Sequence, residues 1–64
     1  MSIGEKVLSR RLMLDMTQAE LSRISRVHET VISKIEHSER VNLTVETLTK
    51  LASALRTTVS ELTR

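Results

Sequence analysis

Thr17-Gln18-Ala19-Glu20-Leu21-Ser22-Arg23-Ile24-Ser25-Arg26-Val27-His28-Glu29-Thr30-Val31-Ile32-Ser33-Lys34-Ile35-Glu36 is the stretch on which the fold turns. Thr17 and Glu20 form a capping box, in which hydroxyl and carboxylate each satisfy a backbone N–H that a helix start leaves orphaned. It stands just ahead of Leu21 and Ile24, so a helix starts here and ends near Ser25 and Arg26. A second helix of the pair covers about residues 28–36. Val31, Ile32 and Ile35 face inward, and His28, Glu29, Thr30, Ser33, Lys34 and His37 lie on the other side. Ser33 and Glu36 repeat the capping pattern, but inside an apolar-periodic run, and are set aside. Leu21, Val27, Ile32 and Ile35 have the spacing that lets two short helices pack at a steep angle across a tight turn.

The flanks read as further short helices. Ser2 and Glu5 make a second capping box, opening a helix over about residues 3–14. Ile3, Val7, Arg11 and Leu14 share one face, with an arginine oddly placed in an apolar stripe. Asp15, which tolerates the left-handed conformation, ends it. Leu8 and Leu12 form a second stripe, expected to pack against Val59 and Leu62; a self-association patch is the alternative. A polar connection over residues 37–43 leads to a helix capped by Thr44, with Val45, Leu48, Leu51, Ala52 and Leu55 as the cleanest stripe in the chain. After Arg56, Thr58 and Glu61 cap a short last helix carrying Val59 and Leu62. The expectation is an all-α fold of five short helices in one domain, 1–64.

Composition narrows the function. At 64 residues, folding hides only about 60% of the surface of the unfolded chain. There is no cysteine, so no disulfide framework and no thiolate zinc site, and a reducing compartment is suitable. Two histidines make a poor metal set. The absence of Phe, Tyr and Trp argues against modules that stack single-stranded bases on aromatic rings. One glycine and no proline favour helices over hairpins. The longest apolar run is Leu12 to Leu14, too short to span a membrane, and no secretory signal opens the chain. A cytoplasmic protein is expected. Ten cations against eight anions give a net charge of +2, a mild lean towards anionic partners. No Ser/His/acid set or metal cluster is readable and the scaffold leaves little room for a cleft, so neither an enzyme nor a cofactor, metal or small-molecule ligand is expected.

Paired helices of this kind place the second helix in the major groove of duplex DNA, its first residues at the base edges. The stretches 17–21, 31–36 and 46–48, with Leu51-Ala52-Ser53-Ala54-Leu55, resemble the Cro/CI-type (XRE-like) helix-turn-helix family. Phage repressors, restriction–modification controllers and antitoxins belong to it. The likeness runs from about residue 3 to residue 62. It implies a lambda-repressor-like five-helix domain that binds a palindromic double-stranded DNA operator as a homodimer and regulates transcription, most readily as a repressor. A protein–protein adaptor on the same fold, such as an antitoxin component, is the alternative. The sequence departs from the family where glycine is usual, at Asp15, Arg26, Ser38 and Arg56, at Ser22 where alanine is usual, and near Leu43 where proline is common. The loop before Leu48 is one residue longer. Either Arg26 accepts a positive φ, at a cost on the order of 1 kcal/mol, or its turn is drawn differently.

The resemblance also implies roles. Glu29, Thr30 and Lys34 match the main base-reading positions, flanked by His28 and Ser33. Lysine donates to guanine, glutamate accepts from the cytosine amine, and the threonine methyl meets that of thymine. Gln18 and Thr17 match a phosphate clamp at a helix start; Arg40, Asn42 and Thr44 match backbone-contacting loop positions. Arg11 and Glu36 match a structural buried ion pair. Apart from the resemblance, Lys6, Arg10 and Arg23 are expected to be surface charges with no specific role, long-range attraction being the alternative.

Overall fold

The computed structural model describes residues 2–64, and four of its five helices open on a side-chain hydroxyl. They are α1 (Ile3–Met13), α2 (Gln18–Ser25), α3 (Glu29–Glu36), α4 (Val45–Ala54) and α5 (Val59–Thr63). Ser2, Thr17, Thr44 and Thr58 each accept the backbone N–H three residues on. At Ser2 and Thr17 the capping box is complete, with Glu5 and Glu20 accepting in return. At Thr58 only half of it forms, because the Glu61 carboxylate pairs with Arg64 at 3.1 Å instead. His28 precedes α3 without a side-chain cap, so this helix begins one residue later than expected.

α1 packs on α3 and α5, α2 packs on α3 and α4, and α4 on α5. Val7, Leu21, Ile32, Leu51, Leu55 and Leu62 are the fully buried large side chains. Every helix contributes at least one of them, so each element is anchored by the apolar face its sequence periodicity supplies. Three residues leave the expected stripes. Val45 is 76% exposed, Leu12 59% and Ile24 47%. Val45 is the first residue of α4, a turn ahead of where that helix meets the core. Leu12 lies past the reach of α5, a helix of only five residues; Leu8, a turn earlier on α1, is half-buried.

The turns answer the question posed at Arg26. Asp15, Arg26, Ser38 and Arg56 have φ of 59, 63, 58 and 56°, all left-handed. These are the four positions at which the resembled family carries glycine. The turns therefore keep their shape while L-residues bear the strain. The one glycine does different work. Gly4 brings the α1 backbone against the end of α3, where an added Cβ would collide with the Ile35 carbonyl oxygen.

Lys6 and Arg10 depart from expectation too. Arg10 donates to the Leu55 and Arg56 carbonyls, both at 2.9 Å, at the end of α4. Lys6 donates to the Glu61 carbonyl at 3.2 Å and to that of Arg64. Two cations of α1 thus satisfy the carbonyls that helix ends leave orphaned, where the helix dipole also favours positive charge. Among the described residues no helix is long and apolar enough to cross a membrane.

Candidate nucleic-acid interface

The seat of α3 is built around one carboxylate. Glu36, whose side chain is 3% exposed, accepts from Arg11 Nε at 2.8 Å, from Arg11 Nη2 at 3.0 Å and from Gln18 Nε2 at 2.9 Å. Arg11 also donates to the Met16 carbonyl at 2.8 Å. One buried anion thereby joins α1, the start of α2 and the end of α3. The bonds Arg11 donates to Glu36 raise the guanidinium pKa further above its ordinary value, against the opposing effect of burial. Its place in the apolar stripe of α1 is explained by this partner, since a buried charge is tolerated only when paired and hydrogen-bonded.

The turn between α2 and α3 is fixed by two serines. Ser22 Oγ donates to the Val27 carbonyl at 2.7 Å, and the buried Ser25 accepts the Val27 N–H at 3.2 Å. From the sequence, Ser22 stands out only as a departure from the resembled family, and Ser25 only as a helix end. The signal was present: a Ser-x-Val turn lets a short hydroxyl stand in for missing backbone bonds. Ser22, where alanine is usual, adds a bond across the turn whose strain Arg26 carries.

With its inner side seated, α3 presents Glu29, Thr30 and Lys34 to solvent, with Ser33 half-buried between them. These four residues, Gln18 and Glu39 line one shallow cavity of about 430 Å³. The spacing i, i+1, i+4, i+5 puts the α3 members on one helix face. His28 is exposed just before that face. His37 closes the helix, its Nδ1 lying 2.7 Å from the Ser33 carbonyl.

The other expected contact residues are arranged around this face with several of their groups engaged. Gln18 has one amide N–H committed to Glu36 and keeps its carbonyl oxygen and second N–H. The Thr17 hydroxyl accepts the Glu20 N–H at 3.0 Å. Glu20 in turn has its pKa lowered, first by the Thr17 backbone N–H it accepts and then by the Thr17 hydroxyl. Thr44 Oγ1 accepts the Thr47 N–H at 3.1 Å and donates to Thr47 Oγ1 at 3.0 Å, so its hydroxyl is taken up by capping. Arg40 and Asn42 are exposed in the loop after α3 and line a separate open hollow. Among the described residues no group of three or more His, Cys, Asp or Glu side chains could hold a metal ion.

The sequence and the fold both have relatives. The helix-turn-helix family profile matches residues 7–62. Control protein C.SmaI of Serratia marcescens is 42% identical over 60 residues, covering 94% of this chain and 70% of that protein. A chain of the SinR protein/SinI protein complex superposes with a TM-score of 0.88 at 25% identity, over 94% of this chain. This chain spans only 58% of that one. With the profile covering nearly its whole length, the chain belongs to the helix-turn-helix family, in its Cro/CI-type group of DNA-binding transcriptional regulators.

Proposed function

We propose that this chain represses transcription by binding a palindromic operator in duplex DNA as a dimer, in the cytoplasm. One observation carries the proposal: a short helix, locked from behind by a buried carboxylate, offers Glu29, Thr30, Ser33 and Lys34 on a single open face. Such a helix can enter a major groove without repacking, and its side chains suit base edges: Lys34 for guanine O6 and N7, Glu29 for the cytosine amine, the Thr30 methyl for thymine. His28 flanks this set. Gln18 and Thr17, at the start of α2, would clamp a phosphate with the helix dipole behind them. Arg40 and Asn42 would follow the backbone from the loop, with Thr44 beside them. The kinship to a control protein supports a regulatory role.

A monomer of this size buries too little surface for tight operator binding, so two copies are required. Their α3 helices would lie about 34 Å apart, one turn of B-DNA, with half-site centres roughly 10 bp apart. Occupancy of the operator excludes polymerase.

Selection of duplexes from a randomised pool tests the proposal. The wild type is expected to enrich a two-fold symmetric site. Lys34→Ala and Thr30→Ala should relax the preference at single positions, the lost bidentate contact of Lys34 costing about 1–3 kcal/mol of discrimination. Gln18→Ala should weaken all sequences alike, and affinity should fall steeply with salt. Wild-type preference retained in both α3 variants would refute the assignment of the reading face. The likeness to a chain of the SinR/SinI complex favours a second reading, a protein-binding module; a pull-down partner together with no enriched duplex would select it.

A further inference from the structure

The face expected to approach a polyanion is itself negative. Its cavity holds one cation, Lys34, and two carboxylates, Glu29 and Glu39. Both salt bridges among the described residues lie elsewhere, at Arg11–Glu36 and Glu61–Arg64, so none of the three has its charge cancelled by a close ion pair. The polar neighbours Thr30 and Ser33 are neutral, and Gln18 is turned towards Glu36.

Glu39 is not a member of α3, and its position is a product of the turn. Ser38 adopts φ 58°, and this left-handed step folds the chain back on the helix it has just left. The Ser38 N–H donates to the Ile35 carbonyl at 3.0 Å and the Glu39 N–H to the Lys34 carbonyl at 2.9 Å. That pair of bonds is the usual way a left-handed residue closes a helix. Its result here is to bring the exposed Glu39 to the cavity that Glu29 and Lys34 also line.

A carboxylate near phosphates is repelled whatever the base sequence. Accepting a cytosine amine can repay that repulsion, but only where the sequence supplies one. Sequence-independent attraction from phosphates dominates non-specific binding, so a negative charge on the reading face subtracts from the competing state more than from the matched one. Discrimination can be raised by penalising the wrong partner as well as by rewarding the right one.

We infer that Glu39 is a specificity-determining residue of the DNA-reading face, holding down affinity for duplexes that do not match the operator. The inference rests on the DNA-binding function proposed above. At about 7 Å in a water-like medium a single charge pair is worth a factor of about three, and more in the lower dielectric of an interface. Glu39→Gln is therefore expected to tighten binding to a shuffled duplex by about three- to tenfold. Binding to the duplex enriched by the wild type should change less, and the specificity ratio should fall accordingly.

The test titrates wild type, Glu39→Gln and Glu61→Gln with two duplexes, the pool-enriched sequence and its shuffled counterpart, at fixed salt. Glu61→Gln makes the same change of net charge on α5, away from the cavity, and should leave the ratio within about twofold of wild type. A lowered ratio in Glu39→Gln alone supports the inference. An unchanged ratio in Glu39→Gln, or an equal fall in both variants, overturns it while leaving the DNA-binding function standing. A wild type that shows no preference between the two duplexes removes that function, and this inference with it.

Discussion

Replacing Arg26 by glycine should stabilise the protein. Arg26 caps the end of α2 at φ 63° and ψ 26°. For an L-residue this conformation costs roughly 1–2 kcal/mol, because Cβ crowds the following carbonyl. Glycine removes the crowding but frees the unfolded chain, which returns about 0.4–1 kcal/mol. The net gain expected from Arg26→Gly is about 0.5–1 kcal/mol. The Arg26 side chain is exposed and forms no hydrogen bond or ion pair among the described residues, so little is lost with it. Its backbone N–H, bonded to the Ser22 carbonyl at 2.8 Å, is retained. For a domain of this size 1 kcal/mol moves the midpoint by about 4–8 °C, so a rise of roughly 2–8 °C is expected. With no aromatic reporter in the chain, far-UV circular dichroism is the assay, in thermal and urea denaturation. Arg26→Ala is the control that decides the cause, since it removes the charged side chain but keeps Cβ. A glycine variant no more stable than the alanine variant would refute the strain argument.

Three further outcomes follow from the packing and the caps. Gly4→Ala forces a methyl into the Ile35 carbonyl and should destabilise by about 1–3 kcal/mol, the range for overpacking, despite the better helix propensity of alanine; calorimetry checks it. Glu36→Ala leaves Arg11 buried without its partner and should cost about 3–5 kcal/mol, enough to leave much of a domain this small unfolded near room temperature in a urea titration. The Glu5 and Glu20 carboxyls have pKa values lowered from 4.5, each led by a hydrogen bond from the backbone N–H of its capping residue. Groups lowered on folding contribute stability that is fully present above their unfolded value and lost as pH falls through the folded one. The urea midpoint should therefore hold steady down to about pH 4.5 and fall below it, less steeply in the double variant Glu5→Gln/Glu20→Gln.

Most of the fold was legible because it is written in local chemistry. Apolar periodicity marks every helix and capping hydroxyls mark four of the five, and the boundaries miss by at most a residue or two, as at His28, where no side chain caps α3. The exposures of Val45, Leu12 and Ile24 were not legible. Periodicity tells which way a side chain points, but not whether another element reaches that far along the helix. Lys6 and Arg10 show a second limit. Their partners are backbone carbonyls some fifty positions away, and a carbonyl carries no residue type for a sequence to display. The left-handed turns at Arg26, Ser38 and Arg56 were legible only through the resemblance, since arginine and serine do not advertise a positive φ as glycine does. At the candidate interface, the α3 residues follow from helix spacing, whereas Glu39 arrives there by the turn at Ser38. The outer residues of a helix are predictable in a way that a chain reversal is not.

The convergence of Arg11 and Gln18 on Glu36 makes the chemistry of the outer surface answerable to the interior. An anion that captured the Gln18 N–H now given to Glu36, rather than the amide's free N–H, would withdraw a donor from that carboxylate and leave Arg11 to hold it alone. By reciprocity the cost enters both ledgers: whatever loosens the interior pair must change how readily Gln18 reaches outward, by the same factor. For an anion bound in that way, resistance to melting and grip at the start of α2 would be two readings of one equilibrium.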